Sequence, residues 1–254
     1  MESIRETLEA LHDRYNNPEF IANDPISIPR RFSKREDIEI AGFLASVIAW
    51  GNRKAIVKSA GRMMELMDGA PYDFVVNATE QDITRLSAFV HRTFNGQDFT
   101  CFVRSLRNIY SKYGGIGEFF EKEYARNNNL RPAISAFRRI FFETDHHPHA
   151  QKHVSSIESG SACKRLNMYL RWMVRKDNRG VDFGLWEEIP ASALYLPLDV
   201  HAGNMSRALG LLSRKQNDWK AVEEATAALR RFDPADPVKY DFALFGAGID
   251  GFLR

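Results

Sequence analysis

Cysteine is nearly missing: Cys101 and Cys163 are the only two in 254 residues. Two thiols cannot hold a cubane iron–sulfur cluster or build a four-cysteine zinc site, so neither centre is expected, and no cofactor is assigned. A single disulfide stays open, but such sparse cysteine points to a reducing, cytoplasmic setting. Long apolar runs are also missing. None approaches the length of a membrane span, so no membrane association is expected. The first segment, "MESIRETLEALHDRY", is charged and amphipathic, unlike a signal peptide. Net charge is close to zero, at +2, which excludes a polycation that binds nucleic acid by bulk charge. Repeats, low-complexity tracts and long linkers are absent, and strand alternation is scarce.

What is present is helical spacing. Hydrophobic residues make up 44% and charged residues 27%, an ordinary globular balance long enough for one large domain or two intimate lobes. "SKRE" at 33–36 has capping-box spacing, with Ser33 facing the amide of Glu36. Ile40, Phe43, Leu44, Val47 and Ile48 then form one apolar face, which Gly51 stops. Ile56, Ala60, Met63, Met64 and Met67 continue the pattern as core filler. Further helices are expected near 83–91, 99–113, 115–127 and 131–143. "SACKRLNMYLRWMVRK" is another, with Ala162, Leu166, Leu170, Met173 and Val174 inward. A later one is capped by Asn217 or Asp218, and Asp236–Pro237 has cap-then-first-turn order. The class is all-α, with about ten helices in a single domain over 1–254.

Positive charge is distributed unevenly. Between Lys152 and Arg179 seven Lys/Arg face only Glu158 and Asp177, and "RRFSKR" at 30–35 is a second basic knot. Such patches are either solvated helix faces or contacts for a phosphate backbone. With a helix starting at Ser161, Lys164 lies in its first turn, at the positive end of the macrodipole, where a lysine amine can serve as a nucleophile. Lys164, Arg171 and Arg175 share one stripe at 3.6 residues per turn, a stripe suited to phosphates or to plain solvation. Downstream, "LYLPLDVHAGNMSRALGLL" places Asp199 ahead of a helix whose face is Met205, Ala208, Leu209 and Leu212. Asp199 is a good N-cap, and a capping carboxylate is fixed, ionised and able to stabilise a cation or accept a proton. His201 is either a base or a helix-surface histidine.

These two segments together resemble the helix-hairpin-helix DNA glycosylases of the endonuclease III and 8-oxoguanine type. "SGSACKRLN" stands at the hairpin, with Gly160 and Lys164 in place and Ala162 where a second glycine would stand. "PLDVHAGNMSRALGLL" stands at the aspartate segment, with Asp199, His201 and Arg207–Leu211 matching. The lysine and the aspartate are 35 residues apart. "EIAGFLASVIAWGNRKA" is similar to the family's early helix and the turn after it, and "YDFALFGAGI" to its closing helix. The chain as a whole also resembles a widespread bacterial family of unknown function, which supplies no activity.

The glycosylase resemblance implies a two-lobed helical fold, damaged duplex DNA as partner, and base-excision chemistry on a base flipped from the stack. Lys164 and Asp199 would be catalytic. Trp50, Asn52, Arg53, Gly160, Ser161, Arg165, Arg171, Arg175 and His201 would contact nucleic acid, with the amides near Gly160 and Ser161 holding a phosphate. A non-catalytic nucleic-acid-binding protein on the same scaffold is the alternative.

One cluster lies outside that picture. His146, His147, His149 and His153 are four of the seven histidines. Imidazoles suit zinc, nickel or copper, which leaves a metal-dependent hydrolase as a further alternative. The cluster lacks a recognised ligand spacing and Asp145 is its only neighbouring acid, so it reads as a polar surface loop and no metal ligand is assigned.

Overall fold

The structure is a computed structural model and describes residues 2–251. Among them are twelve α-helices: α1 (Glu2–Tyr15), α2 (Arg35–Val47), α3 (Arg53–Leu66), α4 (Pro71–Asn77), α5 (Glu80–Arg85), α6 (Gly96–Tyr113), α7 (Ile116–Asn127), α8 (Leu130–Phe141), α9 (Lys164–Val174), α10 (Val200–Ala208), α11 (Trp219–Arg230) and α12 (Asp241–Asp250). Two short strands, Val90–His91 and Phe94–Asn95, pair as an antiparallel hairpin. The all-α class holds. Among the described residues no helix is long and apolar enough to cross a membrane. The chain divides into two compact units, one from Asn23 to Ser155 and one that joins the N-terminal residues through Ala22 to everything from Ser156 on.

The Asn23–Ser155 unit is built on aromatic burial. Phe43 of α2 meets Phe102 of α6 and Phe137 and Phe141 of α8, with ring centroids 6.0, 5.4 and 5.4 Å away. Phe102 and Phe141 are 4.7 Å apart, edge to face. All four rings are sealed from solvent, so their apolar area and aromatic geometry both count toward stability. Met63, Met64 and Met67 are buried as core filler. The expected capping box at Ser33 does not form. The helix opens one residue later than that register requires, with Lys34 in the cap position and no side-chain cap. Two capping boxes do form, Thr79 with Asp82 and Asn95 with Asp98, opening α5 and α6.

In the other unit α12 packs against both α1 and α10. Glycines make this approach possible. A Cβ on Gly246 would lie 2.3 Å from the Tyr15 ring, and one on Gly248 3.0 Å from the His201 carbonyl oxygen. The predicted inward face of α9 is buried at Leu166, Leu170, Met173 and Val174. Asp218 is the residue that caps α11, accepting from Ala221 N at 3.0 Å. Asn217 instead receives Arg207 at 2.6 Å. Asp236 makes no side-chain cap on the turn it precedes, because its carboxylate is taken by Arg175.

Truncating the centre of the aromatic cluster should be costly. Phe102→Ala is expected to lower the unfolding free energy by about 3–5 kcal/mol, measured by denaturant titration.

Candidate functional site

Asp199 is fixed by its own helix. Its backbone is extended, and Oδ1 accepts the amide of Ala202 at 2.8 Å, the N-cap bond that opens α10. Its backbone carbonyl accepts from Asn217 Nδ2 at 3.1 Å, which ties the cap to the loop before α11. That approach needs Gly203, where a Cβ would fall 2.7 Å from Asn217 Oδ1. Arg207 organises the same loop, donating to the carbonyls of Arg214 and Lys215 at 2.8 Å each. One carboxylate oxygen therefore caps, and the other, Oδ2, lies 3.9 Å from Nζ of Lys164. The lysine side chain is 43% exposed and the aspartate 13%, so the pair combines a reachable amine with a sheltered carboxylate.

Lys164 reaches this place differently from expectation. The helix starts at Lys164 itself, not at Ser161, because Cys163 adopts a left-handed conformation at φ +46° that no helix turn can contain. The segment before it is a run of turns. Gly160, at φ +81°, donates its amide to Ile157 O at 2.8 Å, and Ser161 donates to Ser156 O at 3.1 Å. Both amides are thus engaged inside the turn, which corrects the expectation that they hold a phosphate. The Gly160 carbonyl accepts from Trp219 N at 3.1 Å, clamping the turn to the start of α11.

The basic stripe also needs correction. Arg171 and Arg175 are buried, not presented to a nucleic acid. Arg171 Nε donates to Asp182 at 3.2 Å and its Nη1 to Asp241. Arg175 donates to Asp177 at 2.7 Å, Asp182 at 3.1 Å and Asp236 at 2.9 Å. The Phe242 ring lies against both guanidiniums, at 4.3 and 5.5 Å. The physical reason is that a buried charge must be paired, and the acids of the 177–182 loop and of the chain end fold inward to do so. Burial, together with the charge of Asp199, pushes the Asp241 carboxyl up to about 6 against the pull of Arg171. Arg165 remains partly exposed, and burial brings its guanidinium down to about 10, so it stays charged at neutral pH. His201 donates from Nδ1 to the backbone of α12 at Gly248 O, 3.2 Å away, and sets its ring edge against Phe245.

In the Asn23–Ser155 unit, Trp50, Asn52 and Arg53 do fall at the turn between α2 and α3. Asn52 is exposed and caps α3 through Ala55 N at 3.2 Å, and Arg53 is the first residue of that helix. Trp50 is partly exposed and stacks on His153, centroids 5.8 Å apart. The histidine cluster divides. His147 is exposed, and His146 leans on Phe142 at 4.7 Å. His149 and His153 instead converge on Asp98, at 2.9 and 3.2 Å. The acid that matters is Asp98, remote in sequence, and not exposed Asp145.

A family model described as "Protein of unknown function (DUF2400)" matches residues 24–250, nearly the whole chain. No curated protein and no solved structure matches it.

Two measurements test this geometry. Asp199→Ala should cost about 1 kcal/mol of stability and Asp199→Asn much less, since asparagine caps as well as aspartate. The folded protein keeps the Asp241 proton up to about pH 6, while the unfolded chain releases it near pH 4. Wild type should therefore lose roughly 2–3 kcal/mol relative to Asp241→Asn as pH rises from 4 to 7, read from parallel unfolding curves.

Proposed function

We propose, for a chain that belongs to the DUF2400 family of unknown function, that it is a DNA glycosylase with abasic-site lyase activity on damaged, oxidised bases. The observation that carries this reading is the 3.9 Å separation of Lys164 Nζ and Asp199 Oδ2 across 35 residues of sequence. An amine and a carboxylate in that relation are the two groups that such chemistry requires. The neutral Lys164 amine attacks the sugar C1′ as the bond to the damaged base breaks, and the proton that its nitrogen then sheds passes through Asp199 to the departing base. Asp199 stabilises the cationic sugar while that bond is long. Opening of the sugar ring yields a Schiff base on Nζ, and β-elimination then breaks the 3′ C–O bond and nicks the strand.

Phosphate recognition in this reading rests on the N-terminus of α9 and on partly exposed Arg165; Arg171, Arg175 and the amides of Gly160 and Ser161 are bonded within the fold. Trp50, Asn52 and Arg53 enter this reading only through the family resemblance, as nucleic-acid contacts carried by the Asn23–Ser155 unit. A second reading, nucleic-acid binding without catalysis, is motivated by the degenerate hairpin, in which Ala162 stands where a second glycine would.

Borohydride trapping separates the two. Wild-type protein incubated with duplexes carrying a panel of base lesions and abasic sites should give a covalent adduct, lost in Lys164→Gln and reduced at least about a hundredfold in rate in Asp199→Asn. Salt-dependent binding with no adduct on any duplex would establish the non-catalytic reading instead.

A further inference from the structure

The Asn23–Ser155 unit holds a second constellation that the lyase reading does not use. Asp98, His149 and His153 each offer one ligand atom, and the three atoms lie within 4.8 Å of one another. Asp98 is the third residue of α6, where its carboxylate also accepts the amide of Asn95 at 3.0 Å, so the capping box holds it in one orientation. His149 and His153 come from the 3-10 turn Pro148–His153, separated by three residues, a gap found between paired zinc histidines, which corrects the expectation that the cluster has no ligand spacing. Asp98 and His153 are almost completely buried, whereas the His149 side chain is 34% exposed and leaves an approach from solvent. Phe94 lies 4.9 Å from the His153 ring and Trp50 covers it at 5.8 Å, so the walls are apolar.

We propose that Asp98, His149 and His153 form a binding site for one divalent transition-metal ion of the zinc and cobalt class. Two imidazoles and one carboxylate are the donor set of three-ligand zinc sites, which leave one position for water, and of two-histidine-one-carboxylate iron sites. Hard cations such as magnesium or calcium prefer oxygen ligands and are poorly served by it. The histidines already point their ring nitrogens, Nδ1 of His149 and Nε2 of His153, at the carboxylate. Binding requires those two nitrogens to be unprotonated. For His149 the proton then sits on Nε2, which the Lys152 ammonium approaches, so metal entry displaces that exposed lysine into solvent. The ion would fasten the 3-10 turn to the start of α6, across the 51 residues that separate His149 from Asp98, and would hold the ring on which Trp50 stacks. The site stands apart from the lyase chemistry, because its readout is metal binding without DNA.

The test is titration of chelator-treated, dialysed full-length protein with cobalt(II), read by visible absorption, with zinc(II) added in competition and thermal melts in parallel. Wild type should bind one equivalent, show the d–d bands of a low-coordinate nitrogen–oxygen site, lose them to zinc, and melt at a higher temperature when loaded. His149→Gln, at a partly exposed position, should keep the helical circular dichroism and bind at least about tenfold more weakly. His146→Gln should bind as wild type does. Absence of a stoichiometric cobalt site in wild type, equal affinity in His149→Gln, or loss of binding in His146→Gln would each overturn the proposal.

Discussion

Two buried arginines hold the C-terminal part of the chain in register. Arg171 on α9 and Arg175, which follows its last residue, gather Asp177, Asp182, Asp236 and Asp241 from three later segments. Removing one partner of such a network leaves a buried charge without compensation, a loss of roughly 3–5 kcal/mol. The consequence is orientation as much as stability. α9 cannot rotate without breaking these pairs, so its first residue, Lys164, is held at a fixed place relative to α12 and the loop at 177–182. Asp199 is fixed separately, by its cap bond and by Asn217. The amine and the carboxylate meet because two independently anchored helix starts are brought side by side.

The same network explains why a stripe of arginines is a poor guide to a nucleic-acid surface. Helical spacing places Lys164, Arg171 and Arg175 on one side of α9, but spacing does not say whether that side faces water. The acids that draw the arginines inward lie up to 70 residues away in sequence, at Asp241, and only the fold brings them together. Lys164 escapes because it is at the helix end, where the side chain leaves the packed face.

Much of the fold was legible in the sequence and parts of the site were not, for definite reasons. The apolar faces of α2, α3 and α9 follow directly from periodicity, since burial of a stripe is what makes a helix stable. Asp199 as a helix cap was legible because a cap is a local interaction. The start of α9 was not: Cys163 at positive φ leaves no mark in residue type, and it moves the helix three residues past Ser161. Asp98 was not legible either. Histidines crowd visibly between 146 and 153, but the carboxylate on which two of them converge sits in a capping box at the start of α6. The three-residue gap between His149 and His153 was the one available sign.

Both constellations share a design in which a helix-capping carboxylate has a second task. Asp199 and Asp98 each spend one contact on a backbone amide, and that contact immobilises the rest of the group. For Asp199 the second contact is a lysine, and the account depends on that lysine being the group that reacts. Peptide mapping of a borohydride-reduced protein–DNA adduct by mass spectrometry tests this most directly. The sugar remnant is expected on the peptide that contains Lys164. Attachment at any other lysine, or at the N-terminal amine, would contradict it.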